Sequence, residues 1–170
     1  VRVGPQEQNF HIRKALAIHY SGYFRGAFGS DKFKEGETGV LTLPDVDTWV
    51  FTIFVDWLCH QELPSRKIWD TRYPCSSPSY PWDGKIIPRC YVFADRFIIP
   101  DMTQAVMSYA HISYSECPPW YETITFAFSN MSQNDRFLQL LVDAHCTKWN
   151  GDDSEESEGD ITSLPAAFLH

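Results

Sequence analysis

The chain has 170 residues, of which 44% are hydrophobic and 15% aromatic, so one domain can bury a core without metals or disulfides. A net charge of −8 provides no basic surface for nucleic acid, and no apolar run approaches the roughly 20 residues of a membrane span. No signal peptide is recognisable and the five cysteines include no Cys-x-x-Cys pair. These features favour reduced thiols in an intracellular protein, nuclear or cytoplasmic. The missing initial Met predicts that residues precede Val1.

Alternating apolar residues predict a β-hairpin at the start of the chain. Val1–Gly4 is its first strand, Pro5–Asn9 its turn and Phe10–Ile12 its second strand. A helical period begins directly afterwards and predicts one helix over Lys14–Phe28. Leu41–Leu43 alternates again and predicts a third short strand.

Helical signals dominate the rest of the chain. The first of the predicted helices is capped by Asp47 or Thr48 and ends by Pro64, and the second covers Ile86–Phe97. A third is capped by Asp101, and a fourth follows Pro119. The last is capped by Ser132 and has an apolar stripe from Leu138 to Trp149. A small cluster of strands followed by many helices predicts an α+β fold.

Two segments show no period. Residues 64–88 contain five prolines and four serines, which predicts a long loop or a disordered insertion. Residues 152–160 carry six acidic and no basic side chains, which predicts a solvated tether, with binding to a basic partner as the alternative. We expect the following segment, Leu164–Leu169, to dock on the body through its apolar side chains.

The sequence offers no combination of residues that would build a catalytic or metal site. His19 and Ser21 lie two residues apart on a predicted helix and face different ways, so a structural role for the serine is favoured over a nucleophilic one. The Cys-His pairs at 59–60 and 145–146 have no second ligand pair at a spacing that suits zinc. We therefore expect no catalytic residue, no metal and no cofactor.

Several segments, taken together in order and spacing, resemble the BTB/POZ domain, and in particular its short fungal variety. The matching segments are Phe10–Lys14 (FHIRK) with Leu16, Ser21 and Phe24 after it, Leu41–Asp47 (LTLPDVD), Phe51–Leu58, and Tyr91–Pro100 (YVFADRFIIP). The resemblance covers nearly the whole chain apart from residues 64–87. One departure is Arg13, which stands where the family usually has a histidine.

The resemblance implies an α+β fold of the BTB/POZ type. In that fold a small three-stranded sheet is flanked by a cluster of α-helices, and further helices follow at the C-terminus. The implied organisation is a BTB/POZ domain over residues 1–111 with a loop insertion at 63–88. A C-terminal helical extension covers 112–150, and an acidic tether with a short docking segment covers 151–170.

The same resemblance implies a protein–protein interaction module without enzymatic activity. In this family the first helix supplies the homodimer seam, which implicates Gly22, Tyr23 and Gly26; packing within the monomer is the alternative for the glycines. Phe33 and Glu35 fit the hydrophobic-x-Glu element with which ubiquitin-ligase adaptors of the family contact a cullin scaffold. The alternative for Phe33 is that it pins its own loop to the body.

The implied function is therefore homo-oligomerisation, substrate adaptation for a cullin-type ubiquitin ligase, or both. A non-catalytic scaffold, or a transcription-related dimerisation domain that binds no cullin, is the nearest alternative. An enzyme with a diffuse active site is a third class, and it requires a deep pocket with perturbed titratable groups. Partners are expected to be proteins, not nucleic acids or membranes.

Overall fold

The computed structural model describes residues 1–29, 35, 38–64, 84–148 and 164–168. In these ranges seven α-helices surround a small three-stranded sheet, which is the predicted α+β class. The strands are β1 (Arg2–Val3), β2 (Gln8–Asn9) and β3 (Thr42–Leu43), and the helices are α1 (Lys14–Tyr20), α2 (Gly22–Phe28), α3 (Thr48–His60), α4 (Ile86–Arg96), α5 (Pro100–Glu116), α6 (Tyr121–Asn130) and α7 (Arg136–Lys148). A 3₁₀ turn spans Ala166–Phe168. None of the described helices is long and apolar enough to cross a membrane.

The sheet is mixed, with β1 at its centre. β1 pairs antiparallel with β2 and parallel with β3, so that Arg2 lies beside Asn9 on one side and Thr42 on the other. The alternation that predicts the first and third strands is therefore confirmed. The parallel pair joins residues about forty positions apart in the chain.

The predicted hairpin forms, but its second strand was placed too late. The sequence predicts Phe10–Ile12, whereas the pairing strand is β2, which ends one residue before Phe10. The turn is tighter than predicted, because Gly4 and Glu7 both have positive φ and the Glu7 amide donates to the Gly4 carbonyl over 3.1 Å. Gly4 suits such a backbone, since it lacks a Cβ.

The prediction of one helix over residues 14–28 is wrong, because the chain breaks at Ser21. This residue has extended backbone (φ −117°, ψ 125°) and separates α1 from α2. Its Oγ accepts a hydrogen bond from the Phe24 amide, which makes Ser21 the N-cap of α2. Gly22 is therefore the first residue of a helix, where the cost of a mid-helix glycine does not apply.

Helix α3 runs through the centre of the molecule. Of the two predicted caps, Asp47 is the one used, since its Oδ1 accepts from the Trp49 amide at 2.7 Å and the Val50 amide at 3.4 Å. Helix α3 buries side chains on most of its circumference: Val50, Phe51, Ile53, Phe54, Trp57 and Leu58. This is the pattern of a core helix.

Helices α4 and α5 are separated by a short break, as predicted. Pro88 lies in the first turn of α4, where a missing amide costs nothing. The prediction that Asp101 caps α5 is wrong: Pro100 begins the helix, Ile99 occupies the cap position and Asp101 lies in the first turn. Because α5 continues to Glu116, the predicted domain boundary after residue 111 falls inside a helix.

The cap predicted for the last helix is also wrong. Instead of Ser132, Asp135 accepts the Phe137 amide at 2.8 Å, and its Oδ1 accepts the Tyr91 hydroxyl at 2.9 Å as well. Burial, followed by this hydrogen bond, raises the pKa of Tyr91 to about 12. The bond ties α4 to α7. Trp149, the predicted end of the stripe, lies outside the described residues.

Two apolar clusters hold these elements together. The main core takes buried side chains from β1 and β3 and from every α-helix, so the predicted C-terminal extension shares its core with the predicted domain. A satellite cluster consists of the buried Tyr121, Ile124 and Leu164 with Phe128 and Phe168 packed against them. The predicted docking contact of the C-terminal segment is thus present for Leu164 and Phe168. Residues 65–83, the acidic run and Leu169 lie outside the described residues.

Candidate interaction surface

The start of α2 is anchored to the segment that follows α4. Ser21 Oγ donates to the Phe97 carbonyl over 2.6 Å, the Gly22 amide donates to the Ile98 carbonyl over 2.9 Å, and the Tyr23 amide donates to the Phe97 carbonyl over 3.3 Å. Ser21 is completely buried, and the same hydroxyl caps α2. These bonds give Ser21 a structural role and fix the orientation of α2.

The two glycines of α2 have different surroundings. A Cβ added at Gly22 would lie 2.9 Å from Ile98 Cγ2, a distance that real Cβ atoms do not tolerate, so the glycine permits a close contact within the chain. A Cβ added at Gly26 would meet nothing within 4 Å. Packing within the monomer therefore accounts for Gly22, while Gly26 faces open space.

Ile98 adopts a backbone conformation that isoleucine rarely takes. Its φ is +53°, in the left-handed region where a β-branched side chain is strained by roughly 1–3 kcal/mol. The strain is held in place by backbone hydrogen bonds from Ile98 to Asp95 and from Gly22 to Ile98. The side chain is nevertheless 61% exposed. This residue was not predicted from the sequence. The following Ile99-Pro100 indicates that the helix ends, but it does not indicate a left-handed backbone at Ile98.

Tyr23 lies where α2 meets the turn that carries Ile98, since its amide donates to the Phe97 carbonyl. It is 37% exposed, and its ring packs edge-on against Phe97 at 4.7 Å between centroids. Gly26 lies three residues after Tyr23, just under one turn further along α2, and is exposed. We call the surface formed by Tyr23, Gly26 and Ile98 the α2–Ile98 patch. It brings together two of the three residues predicted for a dimer seam and one that was not predicted.

Exposed charges of both signs lie next to these residues in the chain. The Arg25 guanidinium is held by the carbonyls of Ile18 at 3.2 Å and His19 at 3.0 Å. Asp95 and Asp101 are exposed close to Ile98 in the chain. An apolar centre with charged residues beside it is the usual composition of a protein–protein contact.

The predicted cullin-docking pair is described only in part. Phe33 lies outside the described residues. Glu35 is half-buried, and its backbone carbonyl accepts a hydrogen bond from the Gly39 amide over 3.0 Å. The role of both residues in partner binding stays a prediction.

A cleft between α3 and α4 is the place where an enzyme would most naturally hold acid–base groups. It has a volume of about 320 Å³, and its charged residues form two pairs, Asp45 with Arg96 at 2.7 Å and Asp47 with Arg89 at 3.5 Å. The hydrogen bond from Arg96 lowers the pKa of Asp45. Asp47 is in addition the cap of α3. Both carboxylates are engaged in ion pairs, an arrangement that suits a structural role better than proton transfer.

Other reactive groups of the described chain are dispersed. No three of its histidine, cysteine and acidic side chains come together in a group that could hold a metal ion. Cys90 is buried, and burial raises the pKa of its thiol far above the ordinary value, so this thiol stays protonated and belongs to the core.

Comparison with known proteins adds no family assignment. The chain matches no family model. It also matches no curated protein at a significant level. The BTB/POZ resemblance therefore depends on the motifs and on where the fold positions them.

Proposed function

We propose that this protein is a non-catalytic interaction module of the BTB/POZ type that pairs with a second copy of itself through the α2–Ile98 patch. The observation that carries the proposal is Ile98, an apolar side chain that is both strained and mostly exposed. Glycine or asparagine would satisfy the same backbone at lower cost. A strained residue that contributes this much apolar surface to solvent is typical of a contact site.

The motifs that resemble the family support the proposal through their positions. Ser21 and Phe24 are both completely buried where α2 meets the end of α4. The segment Tyr91–Pro100 supplies the second half of α4 and the turn that carries Ile98. The residues of the resemblance thus build the support of the patch.

A second copy is the partner that the patch suits best. In a two-fold interface the same surface meets itself, so residue i contacts residue j and j contacts i. Charges of both signs beside an apolar centre can pair across such an axis. Arg25 is close to Tyr23 and Gly26 in the chain, and Asp95 and Asp101 are close to Ile98, so both signs are present next to the patch residues.

The decisive experiment is sedimentation velocity over a concentration series with the variant Ile98→Asn. Asparagine tolerates the left-handed backbone, so the fold should be retained while the apolar centre is lost. We expect a concentration-dependent dimer in the parent and at least about a tenfold weaker association in the variant, equivalent to about 1.4 kcal/mol.

A control and a second variant keep this test specific. Ile112→Asn removes an equally apolar and more exposed side chain, 66% accessible, from α5 and should leave association unchanged. Gly26→Gln should fold normally, because a Cβ there meets nothing, yet it should hinder a second copy. A parent protein that stays monomeric up to about 100 μM would remove self-association from the proposal, since that corresponds to a Kd weaker than about 10⁻⁴ M.

Cullin adaptation is the second candidate, and the hydrophobic-x-Glu element Phe33-Lys34-Glu35 is the sequence feature that favours it. Phe33→Ala and Glu35→Ala should each weaken capture of a cullin N-terminal domain by about thirtyfold or more, the effect of removing an interface anchor. Lys34→Ala is the matched control, since the middle position of the element is free. Loss of capture together with loss of thermal stability would mean that Phe33 holds its own loop instead.

A further inference from the structure

The cleft between α3 and α4 is apolar apart from its two ion pairs. The other described side chains that line it are Val46, Val50, Val92, Phe93, Phe97 and Phe126. Val92 and Phe126 are half-buried, so part of this apolar wall is accessible from solvent. The cleft has a volume of about 320 Å³. Since an apolar cavity of about 150 Å³ already holds a benzene molecule, the cleft has room for a branched aliphatic side chain.

The cleft adjoins the α2–Ile98 patch. Arg96 and Phe97 both line the cleft, and Ile98 is the next residue of the chain. The guanidinium of Arg96 lies 5.4 Å from the centre of the Phe97 ring, and the ring of Tyr23 lies 4.7 Å from the same centre. Phe97 is therefore a common neighbour of the cleft and the patch.

A mostly exposed apolar side chain thus stands beside an apolar cleft, and a second copy presents the same two features. In a two-fold pair, contacts occur twice, once in each direction. If the axis passes between Ile98 and the cleft, Ile98 of each copy lies over the cleft of the other and both contacts form together. If instead the two Ile98 side chains met on the axis, both clefts would stay empty.

We propose that Ile98 of one copy inserts into the cleft between α3 and α4 of a second copy. The inference rests on the proposed self-association and identifies the surface that Ile98 meets. Asp95 and Asp101 are exposed on either side of Ile98 in the chain, and insertion brings them towards Arg89 and Arg96 of the opposite cleft. Opposite charges at the edge of a contact contribute orientation more than affinity.

The test uses two changes at Val92, measured by sedimentation velocity. Val92→Trp fills the cleft, and Val92→Asp places a carboxylate on its wall. Because Arg89 lies three residues before this position and Arg96 four residues after it, the new carboxylate can form ion pairs along α4 and the fold should be retained. Each variant should associate about tenfold or more weakly than the parent, the effect of losing an apolar anchor.

The matched control is Ile112→Trp, which adds the same ring at an exposed position on α5 and should leave association unchanged. Thermal melting of every variant checks that it is folded. If Val92→Trp fails to melt cooperatively, Val92→Asp carries the test.

A mixing experiment separates insertion from a contact between two patches. The Val92→Trp protein keeps Ile98, and the Ile98→Asn protein keeps an open cleft. A mixed pair therefore retains one of the two insertions, whereas neither protein alone retains any. With one protein fluorescently labelled, the mixture should associate at least about tenfold more tightly than either variant alone.

The outcomes distinguish this inference from the proposed function. A parent that dimerises, with folded Val92 variants that associate as tightly as the parent, would overturn the insertion and leave self-association intact. A mixture that associates no better than its separate components would do the same. A parent that stays monomeric would overturn both proposals.

Discussion

The two apolar clusters of this protein are built from similar side chains but are secured in different ways. In the main core, the ring of Phe24 stacks on Phe28, Phe54 and Phe97 at centroid distances of 5.7–5.8 Å. Two buried hydrogen bonds of the Ser21 hydroxyl, one donated to the Phe97 carbonyl and one accepted from the Phe24 amide, close this arrangement. In the described residues the satellite cluster buries three side chains, and one of them, Leu164, comes from the C-terminal part of the chain rather than from α6.

This difference shows that apolar composition alone does not determine how firmly a contact is held. Both clusters exclude water from aromatic rings. In the core, buried backbone groups are also hydrogen-bonded, and leaving them unpaired would be costly. The satellite cluster can open at the cost of its side-chain contacts. Opening of that kind is local, and its free energy lies well below that of global unfolding.

The largest effect should come from removing the ring at the centre of the core. Phe24 is fully buried and stacks on three other rings, so Phe24→Ala should lower the free energy of unfolding by about 3–5 kcal/mol. Urea denaturation followed by circular dichroism measures this loss. Phe168→Ala is the matched control in the satellite cluster. If the two variants lose similar stability, the distinction between the clusters is incorrect.

An intermediate effect is expected for the hydroxyl that closes the core. Ser21→Ala removes the cap of α2, leaves the Phe24 amide without its partner and leaves the Phe97 carbonyl with only the longer bond from the Tyr23 amide, which should cost about 2–3 kcal/mol. Ser115→Ala, which deletes an exposed hydroxyl bonded to a helix carbonyl, should cost less than about 0.5 kcal/mol. Thermal melts of both variants provide the comparison. A stable Ser21→Ala protein would show that packing alone positions α2.

The smallest effect should be confined to the satellite cluster. Leu164→Ala should reduce stability by about 1–2 kcal/mol, less than a core leucine, because the truncated site can collapse or admit water. Hydrogen exchange should speed up at the amides of α6 while the amides of α3 keep their protection. Uniform acceleration across both helices would place Leu164 in the same cooperative unit as the core.

Elements whose signals are local were predictable from the sequence. The stripe of α3 and its Asp47 cap are examples, because both depend on residues within a few positions of each other. The break inside residues 14–28 was not predictable, since the apolar period continues across it. A hydrogen bond between Ser21 and a carbonyl 76 residues away stabilises the break. Periodicity contains no information about such a partner.

The errors at the helix caps have the same origin. Ser132 and Asp135 are both chemically able to cap α7, and the hydroxyl of Tyr91, 44 residues earlier, provides a second partner for Asp135. For the candidate surface, Tyr23 was named from the sequence, and its role in a contact stays a prediction. Ile98 was missed, because left-handed isoleucine is disfavoured by every local rule. The strained position is recognisable only once the chain has folded.

The long separation between Ser21 and Phe97 also has a consequence during synthesis on the ribosome. Chains elongate at about 5–20 residues per second, so α2 emerges on the order of 4–15 s before the carbonyl that anchors it. During that interval the ring of Phe24 has no Phe97 to pack against. A nascent chain of this length would present an aromatic surface to chaperones at the exit tunnel. Slower translation before residue 97 should increase the fraction of nascent chains that are bound by a chaperone.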